Sequence, residues 1–219
     1  MADVTLPVDP SPETTIVLPI GHYVGAHYPG PGEPLEDHTV RIGATPVHLL
    51  SDEEFGVWVL AHGLAGPDAE APWTRRHLLD AAAEASVDDA PELLEELLEE
   101  GVVAEVALGT TESVEFAKEH RVAPLMAGMG LVSEDPVAVR IGVYGIQTAE
   151  VNGFAFELWR LGHRAGSLWD FCQMQGAFLR DETGLSAADS TPEKMLLMSL
   201  LELQTLLASN AVYLDTLSP

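Results

Sequence analysis

The chain has 219 residues, of which 47% are hydrophobic, and this is enough for one large core or two small ones. Its 35 acidic residues outnumber the 10 basic ones, and the formal net charge of −25 opposes a general attraction to nucleic acid. A single cysteine, Cys172, excludes an intramolecular disulfide, while the short apolar runs and the absence of a signal-peptide pattern predict a cytoplasmic protein.

The N-terminal segment, residues 1–37, is predicted to be irregular. Its stretch LPIGHYVGAHYPGPGEP is rich in glycine and proline, which are typical of turns. We therefore expect this segment to wrap around the surface of the protein.

Two stretches that begin with VRIG, at Val40 and at Val139, indicate an internal repeat. At a constant offset of 101 residues the two copies keep matching in identity beyond these strands. The matched pairs are Phe55 and Phe156, Trp58 and Trp159, Leu60 and Leu161, His62 and His163, Leu78 and Leu179, Pro91 and Pro192, and Glu92 and Glu193. We interpret the chain as a duplication.

Each repeat is predicted to contain a strand or hairpin, three helices and a closing strand. In the stretches HTVRIGATPVHLL and VAVRIGVYGIQTAEV, apolar and polar residues alternate as they do in the strands of hairpins. Helix starts in the first repeat are indicated by Ser51, Thr74 and Asp89, and Thr191 is the counterpart of Asp89 in the second. The β-branched stretches GVVAEVALG and NAVYLDTL follow the third helices.

This element order resembles that of a tandem winged-helix (winged helix-turn-helix) protein, at the level of fold. The resemblance implies an α+β, mostly helical chain with winged-helix-like repeats over residues 38–110 and 137–219, joined by a linker over residues 111–136. A short helix is predicted in the linker around residues 114–118.

The third helix of a DNA-binding winged helix enters the major groove and presents cationic or amide side chains. Here that helix carries glutamates instead, namely Glu92, Glu95, Glu96, Glu99 and Glu100. One interpretation is a solvated acidic face over an ordinary core. The other, which we favour, is a docking surface for a basic partner on a non-enzymatic adaptor or regulator; the acidic kleisin-associated subunits of bacterial condensin complexes, which also carry two winged helices, are an analogy.

Two alternatives remain open. A dimeric DNA-binding transcription regulator would use Arg75 and Arg76, or Arg160 and Arg164, although pairing of arginines with Asp80 and Glu84 would exclude this use. A metal-dependent enzyme would use the N-terminal histidines, and it requires at least two of His22, His27 and His38 to converge on a carboxylate such as Glu36 or Asp37. No helical or finger-type metal motif contains these residues, so we predict no metal, cofactor or catalytic residue.

Three further features have structural interpretations. The long apolar helix over Met195–Leu207 is predicted to supply a core or a homodimer interface. Cys172 is expected to be a buried neutral thiol, and Ser167 an N-cap. His62 and His163 are expected to cap the negative ends of their helices.

Overall fold

The structure, a computed structural model, describes residues 14–65, 72–132, 138–143 and 146–217, and over these ranges the chain is α+β. The first repeat contains β1 (Thr15–Pro19), β2 (His22–His27), β3 (Asp37–Ile42), β4 (Thr45–Leu49), α1 (Asp52–Leu60), α2 (Arg75–Glu84), α3 (Ala90–Glu99) and β5 (Val103–Ala107). Helix α4 (Thr111–Glu119) follows it. The second repeat contains β6 (His120–Pro124), β7 (Ala127–Leu131), β8 (Val139–Val143), β9 (Ile146–Val151), α5 (Gly153–Leu161), α6 (Leu168–Thr183), α7 (Pro192–Ala208) and β10 (Val212–Thr216).

Each repeat is closed by antiparallel pairing of its first and last strands, β1 with β5 and β6 with β10. The other three strands of each repeat form an antiparallel sheet, β2-β3-β4 or β7-β8-β9. The ladder between the first two of these strands is interrupted at Gly25 in one sheet and at Gly130 in the other. Both glycines have a positive φ, which a glycine adopts without steric strain, so the repeats share even this irregularity.

The predicted hairpins, helix starts and closing strands are confirmed. Ser51 caps α1 by accepting a hydrogen bond from the Glu54 N–H, and Ser167 caps α6 by accepting one from Asp170. Thr74 and Thr191 occupy the N-cap positions of α2 and α7. The short helix expected in the linker is α4.

The prediction of an irregular segment over residues 1–37 is wrong for its described part, because residues 14–37 contain β1 and β2. The region called a linker, 111–136, likewise contains β6 and β7, which belong to the second repeat. Residues 1–13 lie outside the described residues. These strands were missed because they are short and rich in glycine and proline, and because the partner of β1 lies more than 80 residues away.

Strand β1 lies between two hydrophobic cores. Val17 faces the core of the first repeat, where it joins residues such as Trp58 and Leu94. Ile16 and Leu18 point to the other side and belong to the core of the second repeat. Alternation of side chains along the strand therefore joins both repeats around one buried element.

Helix α7 fills the second core. Its fully covered apolar residues are Met195, Leu196, Leu200, Leu203, Leu206 and Leu207. Of the two roles predicted for this helix, the core is the one that these contacts show, and a homodimer through Met195–Leu207 stays a prediction.

Among the described residues, four hydrogen bonds connect the repeats at buried or partly buried positions. The side chain of Gln204 accepts from the Trp73 N–H at 2.9 Å and donates to the Trp73 carbonyl at 3.0 Å. The carboxylate of Asp215 accepts from the Gly43 N–H at 2.6 Å. The Gly21 N–H donates to the Leu214 carbonyl at 2.8 Å.

We expect Gln204→Ala to lower the free energy of unfolding by about 1–3 kcal/mol, because it leaves the buried Trp73 N–H without its acceptor. The Trp73 carbonyl keeps a second bond, from the Val17 N–H. Urea denaturation measures the change, and Gln173→Ala, at an exposed position of α6, is the matched control. Equal stabilities of the two variants would show that the bridge contributes nothing.

Candidate functional site

The outward face of α3 is acidic and open. The five glutamates predicted as a docking surface, Glu92, Glu95, Glu96, Glu99 and Glu100, are all exposed, and we call them the acidic face. Leu94 and Leu97 on the opposite side are buried in the core of the first repeat. No basic side chain among the described residues pairs with any of the four glutamates other than Glu95.

Arg75 connects two sites that the sequence assigned to competing functions. Its guanidinium donates to the Glu105 carboxylate at 2.8 and 2.9 Å and also binds Glu95 of the acidic face. The hydrogen bonds from Glu105 and then Glu95 raise the pKa of Arg75 above its ordinary value. The cation therefore joins α2, α3 and β5, although 37% of its side chain is exposed.

The expected partners of the arginines are confirmed only in part. Arg76 lies 3.6 Å from Asp80, one turn along α2, with 87% of its side chain exposed. Glu84 is two turns further along the helix from Arg76, which explains why neither arginine pairs with it. In the second repeat Arg160 donates to Glu157 at 2.5 Å, and Arg164 is exposed.

The three histidines proposed for a metal-dependent enzyme do not converge on one carboxylate. His22 packs against the Tyr213 ring, at 5.2 Å between centroids. His38 donates to Asp52 at 2.9 Å from the inner face of its sheet. Only His27 lies beside Glu36 and Asp37.

A different histidine joins His27. The side chain of Asp37 is only 7% exposed, and its Oδ1 accepts hydrogen bonds from Thr39 at 2.8 Å and from His48 at 2.9 Å. These bonds, that of His48 first, lower the pKa of Asp37. His48 was missed in the sequence because the cross-strand register, which pairs it with Thr39, carries it to the same face of the sheet as Asp37.

On the inner face of the same sheet, Tyr23 and His38 form a hydrogen-bonded chain with Asp52, the first residue of α1. Because the His38 Nε2–H donates to Asp52, Nδ1 accepts from the Tyr23 hydroxyl at 3.1 Å. The ring of Phe55 stacks on His38 at 4.0 Å. Burial raises the pKa of Tyr23, so this hydroxyl is kept protonated and serves as a donor.

A cleft of about 390 Å³ lies on the surface between the two repeats. Its first wall carries the aromatic rings of His22, Tyr23, Phe55 and Trp58, and its second wall includes Tyr213. Nδ1 of His22 is buried without a hydrogen-bond partner among the described residues. The lining could accept an apolar or aromatic side chain.

Two structural predictions for single residues are confirmed. Cys172 is fully buried, and burial raises the pKa of its thiol to about 12, so a thiolate nucleophile is disfavoured. The ring of His62 donates to the Trp58 carbonyl at 3.1 Å and thereby caps the end of α1. His163 instead lies exposed in the short 3-10 turn Gly162–Arg164 after α5.

Comparisons of this chain with protein-family models, with curated proteins and with solved structures gave no match. Among the helices of the described ranges, none has both the length and the apolar character needed to cross a membrane. The class that the fold defines is an acidic α+β protein, in which two stretches of the described chain share an order of elements.

The environment of His62 predicts that the free energy of unfolding depends on pH. Burial lowers the pKa of His62 below the ordinary 6.5 in the folded state. The unfolded chain then binds the proton first, so the contribution of His62 is present above about pH 6.5 and is lost as the pH falls. We expect His62→Gln to be less stable than wild type at about pH 8, with a smaller difference at about pH 5.5.

Urea denaturation at both pH values measures this difference. His163→Gln, which changes an exposed histidine, is the control and should follow the wild-type pH profile. A constant gap between His62→Gln and wild type would contradict the linkage.

Proposed function

We propose that the chain is a non-enzymatic adaptor or regulator of the cytoplasm, which docks a basic surface of a partner protein through the acidic face of α3. The observation that carries the proposal is an exposed row of carboxylates for which the described residues provide no counterion, except at Glu95. Such a surface attracts a cationic partner and accelerates its association.

The second repeat shows what this helix face does when it is used within the chain. At the repeat offset of 101, Glu95, Glu96, Glu99 and Glu100 correspond to Leu196, Leu197, Leu200 and Leu201 of α7. Leu196 and Leu200 are buried in the second core, where α7 packs on the 16-residue α6. The 10-residue α2 is shorter, and the equivalent face of α3 stays open in the first repeat.

Folding does not require the acidic face. Glu92 and Glu96, Glu95 and Glu99, and Glu96 and Glu100 are like charges spaced one helical turn apart, which repel. The helix has no basic residue in its last turn, where its dipole favours a cation over the carboxylates of Glu99 and Glu100. Charges that oppose helix stability and touch no core point to a role outside the fold.

A likeness to winged helices supports the choice of α3, and we infer that the repeats are derivatives of that fold. Each has three consecutive helices followed by a strand, and in a winged helix the third helix contacts the ligand. The strand after α3 pairs with β1, which distinguishes these repeats from a domain with a hairpin wing.

The alternative is a dimeric regulator that binds DNA through its arginines. It is less favoured because Arg75 is paired with two glutamates and Arg160 with one. DNA phosphates that approach these two arginines would be repelled by the neighbouring carboxylates. A mobility-shift assay on genomic DNA at low salt tests it, and salt-sensitive retention by the pure protein would favour this alternative.

We expect a variant with four substitutions to fold but to lose its affinity for the partner protein. The substitutions are Glu92→Gln, Glu96→Gln, Glu99→Gln and Glu100→Gln. The measurement is affinity capture from nuclease-treated native lysate, with quantitative mass spectrometry of the proteins retained. Glu95 stays unchanged because it holds Arg75.

The matched control removes four exposed charges elsewhere, with Glu119→Gln, Asp181→Asn, Glu182→Gln and Glu193→Gln. The proposal requires that some proteins are retained by both the wild type and the control but are not retained by the α3 variant. Retention of the same proteins by all three baits would show that α3 is not the docking surface.

We also expect Glu99→Gln, Glu100→Gln to raise the free energy of unfolding by about 0.5 kcal/mol at low ionic strength, because it removes unfavourable charges from the C-terminal turn of α3. Glu112→Gln should have the opposite effect, because hydrogen bonds at the start of α4 favour that carboxylate and lower its pKa. Thermal denaturation at low and high salt measures both. Destabilisation by the α3 pair would show that these glutamates serve the fold.

A further inference from the structure

We propose that the outer face of the β2-β3-β4 sheet binds a divalent transition metal such as Zn²⁺, with His27, Glu36 and Asp37 as its protein ligands. This site is independent of the acidic face and of the proposed docking function. It differs from the histidine set considered from the sequence, because His22 and His38 take no part in it.

The ligand atom of His27 already lies at separations from the two carboxylates that are close to those a metal requires. Nδ1 of His27 is 3.1 Å from Oε2 of Glu36 and 3.4 Å from Oδ2 of Asp37. All three atoms lie within 4.8 Å of one another. Ligand atoms at about 2.0–2.2 Å from a tetrahedral zinc ion are roughly 3.3–3.6 Å apart, so little movement is needed for coordination.

The local structure fixes the ligands from three directions. Cross-strand pairing places His27 of β2 opposite Asp37 of β3. The Glu36 N–H donates to the His27 carbonyl at 2.9 Å, which holds Glu36 beside the ring. Thr39 and His48 both donate to Oδ1 of Asp37. The other oxygen, Oδ2, lies beside His27 and Glu36.

This arrangement is what metal ligands usually need from their surroundings. A ligating carboxylate is oriented by hydrogen bonds to its second oxygen, and here His48 and Thr39 supply them. The mixture of one imidazole with two carboxylates suits zinc and related divalent metals, while calcium and magnesium prefer oxygen ligands alone. Glu36 and His27 are each more than half exposed, which allows an ion to enter and water to complete its coordination.

The site also resolves a local electrostatic conflict. Two adjacent carboxylates in a chain of net charge −25 repel each other, and a divalent cation between them would offset that repulsion. The second repeat has no equivalent set, since its sequence contains no histidine between His120 and His163 and therefore none in β7, β8 or β9. The metal site is therefore predicted for the first repeat alone.

Isothermal titration calorimetry with Zn²⁺ on the tag-free, chelator-treated full chain tests the proposal. We expect wild type to bind with a stoichiometry of one and His27→Gln and Glu36→Gln to bind at least about tenfold more weakly. His163→Gln, an exposed histidine of the second repeat, should bind as wild type does. The four-glutamine α3 variant should also bind normally, which separates this test from that of the docking surface.

Two exposed positions keep the test decisive if one variant folds poorly, as circular dichroism would reveal. X-ray absorption of the zinc complex should show a first shell of oxygens with one imidazole. Unchanged zinc affinity in both His27→Gln and Glu36→Gln, a wild-type chain that does not bind zinc, or a first shell of several imidazoles would each overturn the proposal.

Discussion

The structure depends on the burial of β1 between two cores. Its five residues pair with β5, send Val17 into the first core and send Ile16 and Leu18 into the second. A strand that is buried on both faces must satisfy its backbone polar groups internally, and pairing with β5 does so on one edge, while the Val17 N–H donates to the Trp73 carbonyl. Because β5 directly follows α3, the same ladder positions the helix that carries the acidic face.

The two repeats have the same order of elements but distribute their surfaces differently. In the second repeat the third helix is apolar on the face that packs against α6, and its residues complete a core. In the first repeat the equivalent face carries glutamates and stays in water. The same helix face is thus used for packing in the second repeat and is left free of packing in the first, and this difference is the physical basis of the docking proposal.

Histidines are concentrated in the first repeat. Five of the eight lie between residues 22 and 62, and the sheet separates them by face. His38 on the inner face contributes to a network with Tyr23 and Asp52, whereas His27 and His48 on the outer face surround the Asp37 carboxylate. One short sheet can therefore support the core on one side and present metal-binding chemistry on the other, because neighbouring side chains along a strand alternate in direction.

The sequence by itself determined the helix starts and the exposure of the α3 glutamates, because these follow from local periodicity and capping that neighbouring residues settle. Only the tertiary structure decided which residues meet across distance. Arg75 pairs with Glu95 and Glu105, Gln204 bridges to Trp73, and His48 reaches Asp37. Helix packing and strand register set these contacts. Strand β1 was missed for a similar reason, since a strand of five residues depends on its partner, here β5, which local sequence does not reveal.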